Sequence, residues 1–135
     1  MERSVLEEAI YNRYIVPTRR KRTHLAGLEF ELPIVNEKNE PVNFEVIYQV
    51  TDRFIDTFSF LNVSRDDNEH IYLAVDDKTG DGLSYDCSYN TLEFSFGKEE
   101  DMNVLYKRFC QYYTYIQKEL RKEGHMLTGR ACIPV

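Results

Sequence analysis

The sequence predicts an α+β domain: a mostly antiparallel sheet with helices packed on one face. Three observations predict it. Several short segments alternate apolar and polar residues with the period of a strand. Longer segments carry apolar residues at steps of three and four, the period of a helix. Connectors rich in Asn, Asp, Gly and Pro separate them, and strand follows turn follows strand as in a meander. The 135 residues suit a single domain spanning 1–135.

Residues 3–15 place Val5, Leu6, Ala9, Ile10 and Tyr14 at helical spacing, and Pro17 argues against continuation. A basic run, Arg19-Arg20-Lys21-Arg22, follows. It reads either as a solvated turn or as an anion-binding segment near a phosphate-bearing ligand. Residues 25–35, LAGLEFELPIV, form the next element. Leu28, Phe30, Leu32 and Ile34 point one way, and Gly27, Glu29, Glu31 and Pro33 the other. Pro33 puts the strand's end near an edge or exit. After the turn-rich NEKNEPVN, Asn43 caps a helix reaching Phe58, with a buried stripe of Ile47, Val50, Phe54 and Phe58 flanked by Val46 and Ile55.

Short strands are expected at 59–64 and 70–76, the second with Ile71, Leu73 and Val75 inward. DDKTGDG, residues 76–82, is a turn by composition. Strands at 82–87 and 91–97 come next. A long helix over 99–123 carries the stripe Leu105, Phe109, Tyr112, Ile116 and Leu120. Glu99, Glu100 and Asp101 at its start and Lys118, Arg121 and Lys122 at its end complement the helix dipole, and Gly124 stops it. A last strand is expected from His125 to Ile133.

Apolar residues make up 42% and aromatics 13%, enough for a packed core. A net charge of −6 argues against a nucleic-acid partner, which a basic surplus would serve. No apolar run reaches the length of a membrane span, and the charged N-terminus lacks the apolar centre of a signal peptide. Cys87, Cys110 and Cys132 have neither zinc-site nor disulfide-framework spacing. The expected setting is therefore reduced and cytoplasmic. His24, His70 and His125 are scattered without metal-ligand spacing, and no glycine-rich phosphate loop occurs.

The chemistry gathers on the wet face of the sheet. Alternation sets Glu29 and Glu31 outward on one strand, Glu93 outward in YNTLEFSFG, and Asp86 outward in LSYDCS, with no lysine or arginine among them. Carboxylates one strand repeat apart lie roughly 7 Å from each other and repel by about 2 kcal/mol at an effective dielectric near 20. Hard oxygen ligands on a rigid sheet are what Mg²⁺ or Ca²⁺ takes, so one reading is a divalent-metal face serving a nucleotide. The other is a solvated acidic surface with no ligand. Alternation alone leaves both open.

The order GLEFELPIVN, then LSYDCSYNTLEFSFG, then a long helix, then HMLTGRACIP resembles the N-terminal part of the glutamate–cysteine ligase family, among the glutamine-synthetase-like carboxylate–amine ligases. The resemblance covers roughly residues 5 to 134. It implies part of the glutamine-synthetase-like catalytic fold. It also implies an ATP-dependent reaction in which the γ-carboxylate of glutamate is phosphorylated and the amine of cysteine displaces phosphate, giving γ-glutamylcysteine, the first step of glutathione synthesis. Under it, Glu29, Glu31 and Glu93 match Mg²⁺-binding positions, and Asp86 matches an acidic position beside the metals and the incoming amine. Arg19, Arg20 and Arg22 are candidates for phosphate or substrate charge. The implied small-molecule partners are ATP with Mg²⁺, glutamate and cysteine. Two departures accompany the match. The family's closing Gly-x-Gly-x-(His or Asn)-Pro reads here with Ala131 at the second glycine and Ile133 at the polar position. Family members also run to several hundred residues, so the 135-residue chain is expected to be inactive alone. The alternative is a non-catalytic binding or oligomerisation module derived from that fold, self-pairing through an exposed sheet edge.

Overall fold

The computed structural model describes residues 4–19, 23–38 and 40–129. Six strands occur: β1 (Ala26–Asn36), β2 (Asn62–Arg65), β3 (Ile71–Val75), β4 (Gly82–Tyr85), β5 (Thr91–Glu99) and β6 (His125–Leu127). They form one sheet in the order β2-β3-β4-β5-β1-β6, antiparallel at every junction. The expected meander is therefore β2 to β5, and β1 inserts between β5 and β6. Helices α1 (Val5–Ile10), α2 (Phe44–Phe58) and α3 (Met102–Lys122) complete the described elements.

Each helix of the body begins and ends where local chemistry dictates. Asn43 accepts the Glu45 backbone N–H at 3.1 Å and starts α2, which stops at Ser59 in the left-handed region. Asp101 accepts the Asn103 N–H at 2.8 Å and starts α3, and Gly124, at φ 69°, ends it. Both helices lie on the face of the sheet that carries Leu32, Ile34, Ala74, Leu83, Leu92, Phe94 and Phe96, all buried. Phe54 of α2 is fully buried at the centre. Its ring lies edge-on to Phe60 and to Tyr112 of α3, with centroids 5.2 and 5.4 Å apart. No described helix is long and apolar enough to cross a membrane.

Several expectations are corrected. On β3, Ala74 pairs with Leu83 on the helix-covered face, so Leu73 and Val75, opposite Ser84 and Gly82, take the other face. Apolar residues stand on both sides of this strand, and alternation cannot choose between them. Glu99 ends β5 rather than starting α3, and its carboxylate pairs with Arg108. Past α1, the backbone widens into a π turn over Tyr11–Ile15 and then a 3₁₀ turn over Val16–Arg19. Pro17 lacks an N–H and crowds the carbonyl four residues back, so the chain winds on only by leaving α geometry before it. Strand β6 ends at Leu127; residues 130–133 of the longer strand expected there lie outside the described residues.

Candidate metal-binding face of the sheet

Strand register assembles the acidic face. Glu31 of β1 stands directly opposite Glu93 of β5, and Glu29 stands opposite Ser95. On its other side Glu93 faces Ser84 of β4, while Ser95 faces Gly82. A Cβ at Gly82 would sit 2.5 Å from Ser95 Oγ, so a larger residue there would have to turn the Ser95 hydroxyl aside. Asp86 follows β4 in an exposed turn, where its N–H donates to the Thr91 carbonyl at 3.0 Å. The strand stops there because Cys87 adopts a left-handed backbone, φ 61°; its thiol donates to the Asp86 carboxylate at 3.4 Å. Cys87 was expected to continue the strand alternation and does not.

Glu93 is half-buried, whereas Glu29, Glu31 and Asp86 are exposed. Burial, and then the charges of Glu29, Glu31 and Asp86, push the Glu93 carboxyl above its ordinary range; a hydrogen bond with Ser84 works the other way. Among the described residues no Lys, Arg or His forms an ion pair with any of the four. The strand register thus concentrates negative charge and supplies no cation against it.

The donor set suits a hard cation, which takes oxygen ligands. Among the described residues no three His, Cys, Asp or Glu side chains converge into a cage for one ion. Mg²⁺ does not need one: it uses one or two carboxylates and keeps several waters. Glu31 and Glu93, opposite each other across β1 and β5, are the two carboxylates that could serve in this way, with Glu29 and Asp86 adding to the field.

Of the basic candidates, Arg19 alone lies within the described residues, and it is not part of this face. Arg19 closes the 3₁₀ turn, and its guanidinium lies over the Tyr11 ring at 5.1 Å, on a segment whose backbone approaches no described strand. Arg20 and Arg22 lie outside the described residues, as do Ala131 and Ile133.

One polar network is not visible in the sequence pattern. Asp81 is fully buried. Its carboxylate accepts the Gly97 N–H at 2.9 Å and the Tyr112 hydroxyl at 3.0 Å, and it pairs with Arg108 Nε at 3.2 Å. Arg108 also reaches Glu99 at 3.1 Å. Gly97 must be glycine, because a Cβ there would meet the Thr79 carbonyl at 1.8 Å. The network ties the β3–β4 turn and α3 to β5, the strand that carries Glu93. Only the composition of the turn hinted at Asp81; its partners lie far along the chain.

In comparisons with known proteins, no family model, curated protein or solved structure matches the chain.

Proposed function

We propose that the chain contributes the sheet-borne half of an Mg²⁺–ATP site in a carboxylate–amine ligase of the glutamate–cysteine ligase type. The observation that carries this reading is the Glu31–Glu93 pair: two carboxylates set face to face, with Glu29 and Asp86 near enough to raise the Glu93 carboxyl further. A fold has no structural use for that repulsion, and a divalent cation removes it. Mg²⁺, when bound, would be held by Glu31 and Glu93 and would supply positive charge against the negative charge developing on a transferred phosphoryl group. The chain's own part is to hold Glu31 and Glu93 on rigid neighbouring strands, with Ser84 orienting the second. Asp86, exposed in the turn after β4, is the residue this reading assigns to the incoming amine.

The test is calorimetric titration of Mg²⁺, without and with a non-hydrolysable ATP analogue, into the wild type and the Glu31→Gln/Glu93→Gln variant. Saturable binding that the nucleotide strengthens and the double variant loses is the expected result. A wild type that binds no Mg²⁺ in either condition sinks the proposal.

A second reading, a non-catalytic pairing module, draws on one feature. On its outer side β1 meets β6 only at residues 34–36, so residues 26–32 form an open edge among the described residues. Such an edge is a template for another strand.

A further inference from the structure

We propose that His125 is a proton-operated clasp between β6 and the start of α2: the neutral ring closes it and protonation opens it. The ring is buried, and backbone groups engage both of its nitrogens. Nδ1 lies 2.7 Å from the Glu123 carbonyl oxygen, and Nε2 lies 3.2 Å from the Asn43 backbone nitrogen. A carbonyl oxygen only accepts and a backbone N–H only donates. Nδ1 therefore carries the hydrogen and Nε2 is the acceptor. An imidazolium carries a hydrogen on both nitrogens, so it can keep the bond to Glu123 but not the one from Asn43. The helix termini favour the same arrangement. Glu123 closes α3 at its negative end and Asn43 opens α2 at its positive end, so the ring turns its N–H to the first and its lone pair to the second.

Charged side chains stand on each element that meets β6 at this end. They are Glu37, Lys38 and Glu40 between β1 and α2, Glu45 in the first turn of α2, and Arg121, Lys122 and Glu123 where α3 ends. All are exposed, and among the described residues none forms an ion pair with His125. The consequence of protonation falls on Asn43. Its Oδ1 accepts the Glu45 N–H at 3.1 Å and its carbonyl accepts the Val46 N–H at 3.2 Å, so the first turn of α2 starts from this residue. Gly124 holds the other end of the same connection, where its carbonyl accepts the Glu37 N–H at 2.8 Å. That bond does not involve the ring. Protonation therefore frees the Asn43 end alone, a local opening and not global unfolding. The clasp is closed at high pH and opens as pH falls, because the open form takes up a proton that the closed form has no room for. The proposal does not depend on the ligase reading.

Two NMR measurements on the full chain test it. Long-range ¹H–¹⁵N spectra of the ring at about pH 7.5 should show Nδ1 protonated and Nε2 bare. Amide exchange at Asn43, corrected for the intrinsic rate, should then be followed down to about pH 5.5, a window in which ordinary carboxylates stay ionised. Protection at Asn43 should fall toward a limiting slope of about tenfold per pH unit, that of one proton taken up on opening. Protection at Glu37, held by Gly124, should not follow it. His125→Gln offers an acceptor oxygen that does not titrate, so it should make Asn43 protection independent of pH. His70 also titrates in this window and stacks on Tyr48 of α2 at 3.6 Å, so His70→Gln is the control and should leave the Asn43 profile unchanged. A ring protonated at Nε2 and bare at Nδ1 overturns the proposal. So does Asn43 protection that stays flat with pH, or a pH dependence that survives in His125→Gln. Should His125→Gln fail to fold, the tautomer and the contrast between Asn43 and Glu37 in the wild type decide.

Discussion

Glu93 is ionised at a cost. Its folded carboxyl titrates above the ordinary range, chiefly through burial and then through Glu29, Glu31 and Asp86. A raised carboxyl means that protonation favours the folded chain. The stability this group contributes is complete below the unfolded value and is lost as pH rises through the folded one. Glu93→Gln should therefore flatten the pH dependence of stability across the carboxylate range. At neutral pH it should raise stability by about 0.2–1 kcal/mol, the scale of a directly opposed cross-strand pair. Urea unfolding at pH 5 and pH 7.5 would measure both, and a variant less stable than wild type at pH 7.5 would contradict the argument. The face of Glu29, Glu31 and Glu93 was legible from alternation, whereas Asp86, placed there as a strand residue, lies in the turn past β4. The opposition of Glu31 to Glu93 was not, because a strand slipped by two residues keeps every side chain on its face while changing its partner.

Among the elements, the β3–β4 turn shows why local chemistry is readable and distant chemistry is not. Asp76 binds within its own turn: its carboxylate accepts the Thr79 hydroxyl at 2.6 Å and the Lys78 N–H at 3.1 Å, and these hold it below the usual carboxylate range. Residue types alone foretell such a turn. Asp81, five positions on, is buried against Arg108 and Tyr112, partners that arrive from α3. Nothing near it in the sequence marks it as inward. Removing one member of a buried charged pair leaves the other uncompensated, so Asp81→Ala should cost about 3 kcal/mol or more. The exposed neighbour change Asp77→Ala should stay within about 0.5 kcal/mol. Chemical denaturation of both would separate the roles, and equal effects would refute the distinction. The same contrast holds at α2, whose cap and apolar stripe were readable because both are local.

At the scale of the molecule, one face of the sheet is greasy and covered, and the other is acidic and open. The α+β class followed from two periodicities, but the placement of β1 between β5 and β6 did not, since alternation says nothing about neighbours. Joining two carboxylate-bearing substrates requires cationic donors to hold them. Among the described residues the strands supply none to this face. The isolated chain should give no glutamate- and cysteine-dependent release of ADP above that of Glu29→Gln/Glu31→Gln in a coupled assay. Turnover clearly above that background would show that the missing cations are present after all.

The sheet order has a kinetic meaning as well. Strands β2 to β5 meet their neighbours across short connections, so the meander has little loop entropy to overcome and forms early. The β1–β5 ladder joins residues about sixty positions apart and must close late. The acidic pair therefore comes into being only with a long-range closure, as does the still longer-range pairing of β1 with β6. Its repulsion opposes that step, and a nascent chain that has folded its meander has not yet set Glu31 opposite Glu93.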